Sequence, residues 1–210
     1  AMDMANISSE TSFGEYGEII RDDAGKPTGI FTENAMSLIT QLIPEDSHES
    51  IYLDLIAGIK ECTKHGITSF QDAGSDAKAI SAYRKAVING EMNIRLWAML
   101  SCSNNEPTLN DSFVESWLAQ GPEIGEKLTI RSIKLYSDGA LGSRGAWLIE
   151  EYSDRPGHFG NPVQPMTLIA EVADKGLKSG FQVCTHAIGD RANREVLDAY
   201  EKAFAANPEK

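Results

Sequence analysis

Two stretches of this chain carry side chains whose types and spacing suit chemistry. The first, Ile130-Arg131-Ser132-Ile133-Lys134-Leu135-Tyr136-Ser137-Asp138-Gly139-Ala140-Leu141-Gly142-Ser143-Arg144, reads as a strand running into a polar, glycine-rich loop. Ser132, Lys134 and Tyr136 share one face of that strand, and Ile133 and Leu135 share the other. A lysine on a buried strand must be neutralised, paired or used, because a bare ammonium is costly to desolvate. Its bland reading is an ion pair with Asp138 or with an acid on a neighbouring strand. Its functional readings are a Schiff-base lysine, a phosphate-binding lysine, or a lysine carbamylated by carbon dioxide into a carboxylate-like metal bridge. Spacing alone does not choose among them. Gly139, Gly142 and Gly145 are expected to let the following loop adopt positive φ.

The second stretch, Val183-Cys184-Thr185-His186-Ala187-Ile188-Gly189-Asp190-Arg191, repeats the plan of apolar strand, polar residue, glycine turn and helix start. His186 is either a metal ligand, since neutral imidazole is the commonest such ligand, or a cap on the following helix. Arg144 and Arg191 lie on the loops beside Lys134 and His186. Each either holds a substrate anion or pairs with Asp138 or Asp190, so these four residues are the substrate-loop candidates. Asp72 also falls at a strand end, where its bland role is to face the N-terminus of the next helix. His65 is expected at a helix C-terminus, His48 in a loop before a helix, and His158 in a loop that either lines a substrate pocket or simply lies at the surface.

The elements that must position these groups follow a rhythm. Strands are expected over 67–74, 94–100, 130–136 and 181–187, and helices over 77–89, 109–120, 167–179 and 190–206. Four strands separated by four helices imply parallel βα units with right-handed crossovers. Before them, residues 47–64 read as a helix capped by Ser47 or Ser50, with Ile51, Leu55, Ile59 and Cys62 as its apolar stripe. A short helix is expected over 32–43, with Thr32 as N-cap. Residues 1–28 read as a long loop or hairpin. The resulting division is 1–46, a loop or hairpin with a short helix, and 47–210, the βα units.

The 210 residues comprise 31 acidic and 19 basic side chains, a formal net charge of −12. Nucleic acid and anionic membrane surfaces need a basic partner face, so neither is expected as a partner. No apolar run approaches the roughly 20 residues of a membrane helix. The three cysteines, Cys62, Cys102 and Cys184, are widely spaced and form no zinc or disulfide pattern. They are expected in the core, and a reducing compartment, the cytoplasm, is the expected location.

Taken together, the two stretches resemble a known family. Ile133 to Arg144 is similar to the "vKl-x-x-DG-x-x-GSR" signature of the amidohydrolase superfamily branch called amidohydrolase family 3, and Thr185 to Ala192 to its "tHaiGDrA" signature. Gly25-Lys26-Pro27-Thr28-Gly29-Ile30 resembles its "G-x-PTG" segment and Gly66-Ile67-Thr68-Ser69 its "GiTs" strand. The resemblance implies a (β/α)8 barrel with a metal site at the carboxyl ends of the strands. It also implies hydrolysis of an amide or related C–N bond by metal-activated water. Lys134 would be the strand-four lysine ligand and His186 the strand-five ligand, with zinc as the expected divalent metal and N-substituted formamides or similar small amides as substrates.

The family pattern also includes a His-x-His pair on strand one, a histidine on strand six and an aspartate on strand eight, and this chain has no His-x-His. About four βα units, strands two to five of the parent barrel, are therefore expected, a partial barrel inactive on its own. Two ligands of a larger set should bind metal weakly. The open sheet edges should favour self-association. Two other readings share the same residues: a Schiff-base lyase or aldolase using Lys134, and a non-catalytic binding or regulatory module derived from a barrel.

Overall fold

The computed structural model describes residues 1–14 and 17–209. The chain divides into two compact units: one of Ala1–Glu45, Tyr136–Met166 and His186–Asp198, the other of Asp46–Leu135, Thr167–Thr185 and Ala199–Lys210. The N-terminal residues therefore share a unit with the two loop regions that hold most of the candidate site.

In the first unit, β1 (Gly17–Arg21) and β2 (Pro27–Glu33) form an antiparallel hairpin. Its turn is held by Asp22, whose Oδ1 accepts the N–H groups of Ala24 and Lys26 at 3.0 and 2.8 Å. The helix expected over 32–43 is reduced to a 3-10 turn (Asn34–Met36) and the single turn α1 (Ser37–Thr40). Thr32 does not cap it. The residue pairs with Glu18 in the hairpin, and its Oγ1 accepts the Glu18 N–H at 3.1 Å, so cross-strand bonding takes the residue that a cap required.

The second unit is built from α2 (His48–Lys64), β3 (Ser69–Ser75), α3 (Ala77–Ile88), β4 (Arg95–Ser101), α4 (Ser112–Gln120), β5 (Glu123–Ile124), β6 (Leu128–Tyr136), α5 (Met166–Ser179), β7 (Gln182–His186) and α6 (Asp190–Ala206). The ends of β6 and β7, and the first half of α6, belong to the first unit. The main sheet runs β3-β4-β6-β5, with β7 also paired to β6. β3 with β4 and β4 with β6 are parallel, as the alternation of strands and helices implies. Two-residue β5, antiparallel to β6, is an element the pattern does not reveal because it is too short to show a period.

Caps set the helix starts. Ser47 Oγ accepts the Ser50 N–H at 3.0 Å, Asp76 Oδ1 accepts that of Ala79 at 2.8 Å, and Asp111 Oδ1 accepts those of Phe113 and Val114 at 3.1 and 3.2 Å. Asp76, not Asp72, serves α3. At the far end of α2, Gly66 turns to φ +73° and the Ile67 N–H reaches back to the Cys62 carbonyl at 2.9 Å. The core of this unit is formed by Leu96, Ala98 and Leu100 of β4, Ile130, Ile133 and Leu135 of β6, and Leu168, Ile169 and Val172 of α5, all at or near zero exposure. Of the cysteines, Cys102 is buried and Cys62 and Cys184 are half-buried. No described helix is long and apolar enough to cross a membrane.

Candidate active site

The first unit gathers His186, Asp138, Arg144, Asp190 and Arg191. At its centre is Asp138, only 1% exposed. Its Oδ1 accepts the Ile188 N–H at 2.9 Å, and its Oδ2 accepts those of Trp147 and Gly189 at 2.8 and 2.7 Å. One carboxylate therefore ties the loop after β6 to the loop after β7. A second tie lies alongside it, because Ser137 donates both its N–H and its hydroxyl to the His186 carbonyl, at 2.9 and 2.5 Å. Asp138 Oδ1 also lies 4.0 Å from His186 Nε2, and the His186 ring rests 5.7 Å from the Tyr136 ring, centroid to centroid. The imidazole is thus held from two sides while its side chain keeps 31% exposure.

The two arginines are engaged elsewhere than their bland readings supposed. Arg144 pairs with Asp154 at 2.7 Å, and its guanidinium holds the Asp154 carboxyl below the usual carboxylate range. Arg191 lies 4.5 Å over the Trp147 ring. Asp190 Oδ1 accepts the N–H groups of Ile149 and Arg191 at 2.9 and 2.8 Å. His158 Nε2 contacts the Arg144 carbonyl at 2.8 Å.

The expectation of positive φ at the loop glycines is corrected by the structure. Over residues 137–147 positive φ falls on Arg144, at +58°, and not on Gly139, Gly142 or Gly145. Two of these glycines answer a different need. A Cβ on Gly139 or Gly145 would lie 2.1 or 2.3 Å from Glu33 Oε1, so a carboxylate from the end of β2 fills the space. Glu33 carries no local sequence signal, because nothing nearby distinguishes a glutamate at a strand end. The paired small residues at 139 and 145 were the available signal.

In the second unit, Lys134 lies on β6 opposite Ser101 of β4. Its Nζ donates to the Leu135 carbonyl at 2.8 Å. Burial brings its pKa down to about 8, opposed in part by the neighbouring Cys184 thiol. Burial in turn pushes Cys184 up, offset by the Ser132 hydroxyl and by Lys134. Ser132 is fully buried and accepts the Trp97 indole N–H at 2.7 Å. Asp72 accepts the Ser75 hydroxyl at 2.7 Å and the Tyr83 hydroxyl, and burial with that carboxylate pushes the Tyr83 phenol up. His65 contacts Glu61 one helical turn away at 2.9 Å, and His48 opens α2.

Among the described residues no group of three or more His, Cys, Asp or Glu side chains is placed to hold a metal ion.

The parallel-stranded α/β architecture of this chain is similar to that of solved metal-dependent hydrolases. An uncharacterized metal-dependent hydrolase from Pyrococcus horikoshii OT3 superposes with a TM-score of 0.70 at 25% identity, over 96% of this chain and 38% of that one. Its counterpart from Pyrococcus furiosus gives 0.70 at 27% identity, over 96% and 40%. The amidohydrolase family model matches residues 1–210, and the chain belongs to that family. Among curated relatives, YtcJ of Bacillus subtilis (strain 168), named for the same family, is 30% identical over 96% of this chain. LONG AFTER FAR-RED 3 of Arabidopsis thaliana is 30% identical over 99% of it, and N-substituted formamide deformylase of Arthrobacter pascens is 26% identical over 96%. The chain spans 36–38% of the length of these three relatives.

Proposed function

We propose that this chain is the central part of a metal-dependent amidohydrolase that cleaves an amide or related C–N bond, with β3, β4, β6 and β7 as strands two to five of a (β/α)8 barrel. The observation that supports it most directly is Asp138, a buried carboxylate on which both motif loops converge, leaving His186 oriented at a strand end. Small amides such as N-substituted formamides are the proposed substrates. A bound divalent metal, zinc in this reading, would supply the activated water.

Lys134 and His186 are the ligand positions this chain would contribute, and the remaining donors would come from outside it. With its pKa near 8, a fraction of Lys134 is neutral at physiological pH, and a neutral amine is the form that adds carbon dioxide. The same property suits a Schiff-base lysine, and borohydride trapping of a carbonyl substrate on Lys134 would favour that second reading.

The isolated chain is proposed to be inactive. Metal analysis and an N-substituted formamide hydrolysis assay, run on the chain and on the parent protein, test the reading. The parent should hold metal, and Lys134→Met and His186→Asn should each deplete it. Metal-dependent hydrolysis by the isolated chain would overturn the claim of inactivity. Undiminished metal in both variants would overturn the ligand assignment.

A further inference from the structure

We propose that Glu33 is a ligand-binding carboxylate, fixed over the Gly139–Gly145 loop to receive an N–H donor, such as a protonated amine, from a substrate or product. Three observations within the first unit meet at this residue. The first is its backbone, at φ 47° and ψ −130°, a combination that suits glycine and strains any residue with a Cβ. The hairpin imposes it: Glu33 pairs with Gly17, and the chain turns so sharply there that a Cβ on Gly17 would lie 2.4 Å from the Ala35 nitrogen.

The second observation is the space given to the carboxylate. Gly139 and Gly145 both leave room for Glu33 Oε1, and the Ser143 hydroxyl lies 3.3 Å from it while also reaching the Ala140 carbonyl at 3.0 Å. The third is charge. Arg144 is committed to Asp154, Arg155 to Glu18 at 2.8 Å, and Arg191 to the Trp147 ring. Among the described residues no cation lies in ion-pair range of Glu33, which has one long contact with that neutral, shared hydroxyl. A brace for the loop would be expected to pair its charge and relax its backbone. A strained, unneutralised carboxylate set beside the Asp138 clamp is instead suited to a ligand that brings the missing positive charge or N–H group. Amide hydrolysis releases an amine, so the assignment builds on the amidohydrolase reading, but its test needs neither metal nor turnover and stands or falls separately.

The test titrates the 210-residue chain with n-butylammonium chloride, with n-butanol as neutral control, following the amides of Gly139, Ser143 and Gly145 by two-dimensional NMR. The wild type should show saturable shifts with the ammonium and none with the alcohol. Glu33→Gln should bind about tenfold more weakly or worse, through loss of the charge-assisted bond. Glu33→Gly should lose binding and melt roughly 2–4 °C higher as the backbone strain is released. Equal affinity in Glu33→Gln, or no saturable response in the wild type, overturns the binding claim. A lower melting temperature in Glu33→Gly marks the residue as a structural brace and overturns it as well.

Discussion

Replacing Asp138 by asparagine removes the charge from the carboxylate that joins the two motif loops while keeping its shape. The best placement of the amide points its oxygen at the Trp147 and Gly189 N–H groups and its NH2 at the Ile188 N–H, which at present donates to Oδ1 at 2.9 Å. The part-buried Ile188 N–H then loses its acceptor, costing about 1 kcal/mol, the low end of the range for an unsatisfied group, and two charge-assisted bonds fall to neutral ones at roughly 1 kcal/mol each. The net loss is about 3 kcal/mol, a large share of the 5–15 kcal/mol that stabilises a typical protein. For a chain of this size that corresponds to a melting temperature lower by roughly 6–12 °C. Calorimetry reads the shift, and hydrogen exchange should lose protection at Trp147, Ile188 and Gly189 ahead of the β4 and β6 core. A variant melting within about 2 °C of the wild type, with those three amides still protected, would refute the clamp.

Other outcomes follow from the same geometry. A Cβ on Gly189 would meet the Trp147 backbone oxygen at 1.9 Å, whereas one on Gly142 meets nothing within 4 Å, so Gly189→Ala should cost about 1–3 kcal/mol in urea denaturation and Gly142→Ala should cost far less. Lys134 binds its proton less tightly folded, at about 8, than an ordinary lysine at 10.5, so between those values the unfolded chain holds more protons and stability rises with pH. Lys134→Met should flatten that rise in melting curves taken in carbonate-free buffers from pH 7 to 10.5. β3 lies at an end of the main sheet order and exposes Phe70, so sedimentation of the isolated chain should show concentration-dependent association, and a monomer at all concentrations would count against it.

Much of this molecule is written locally. The strand containing Ile133 and Leu135, the α2 cap as either Ser47 or Ser50, and the bounds of α6 follow from side-chain periodicity and capping chemistry, which act over a few residues. Lys134 and His186 were conspicuous because a cation and an imidazole at apolar strand ends break the pattern around them. Tertiary structure decided the rest. Thr32 became a strand residue because Glu18, fourteen positions away, offered a partner. Asp138, which from the sequence could as well have faced a substrate, is buried because three backbone N–H groups from two distant loops converge on it. Glu33 had no local mark at all, since its meaning lies in two glycines more than a hundred residues further along the chain. Residue type and spacing named the chemistry available to this chain, but a carboxylate's role depends on which donors the folded chain brings to it, and that was settled only by long-range contacts.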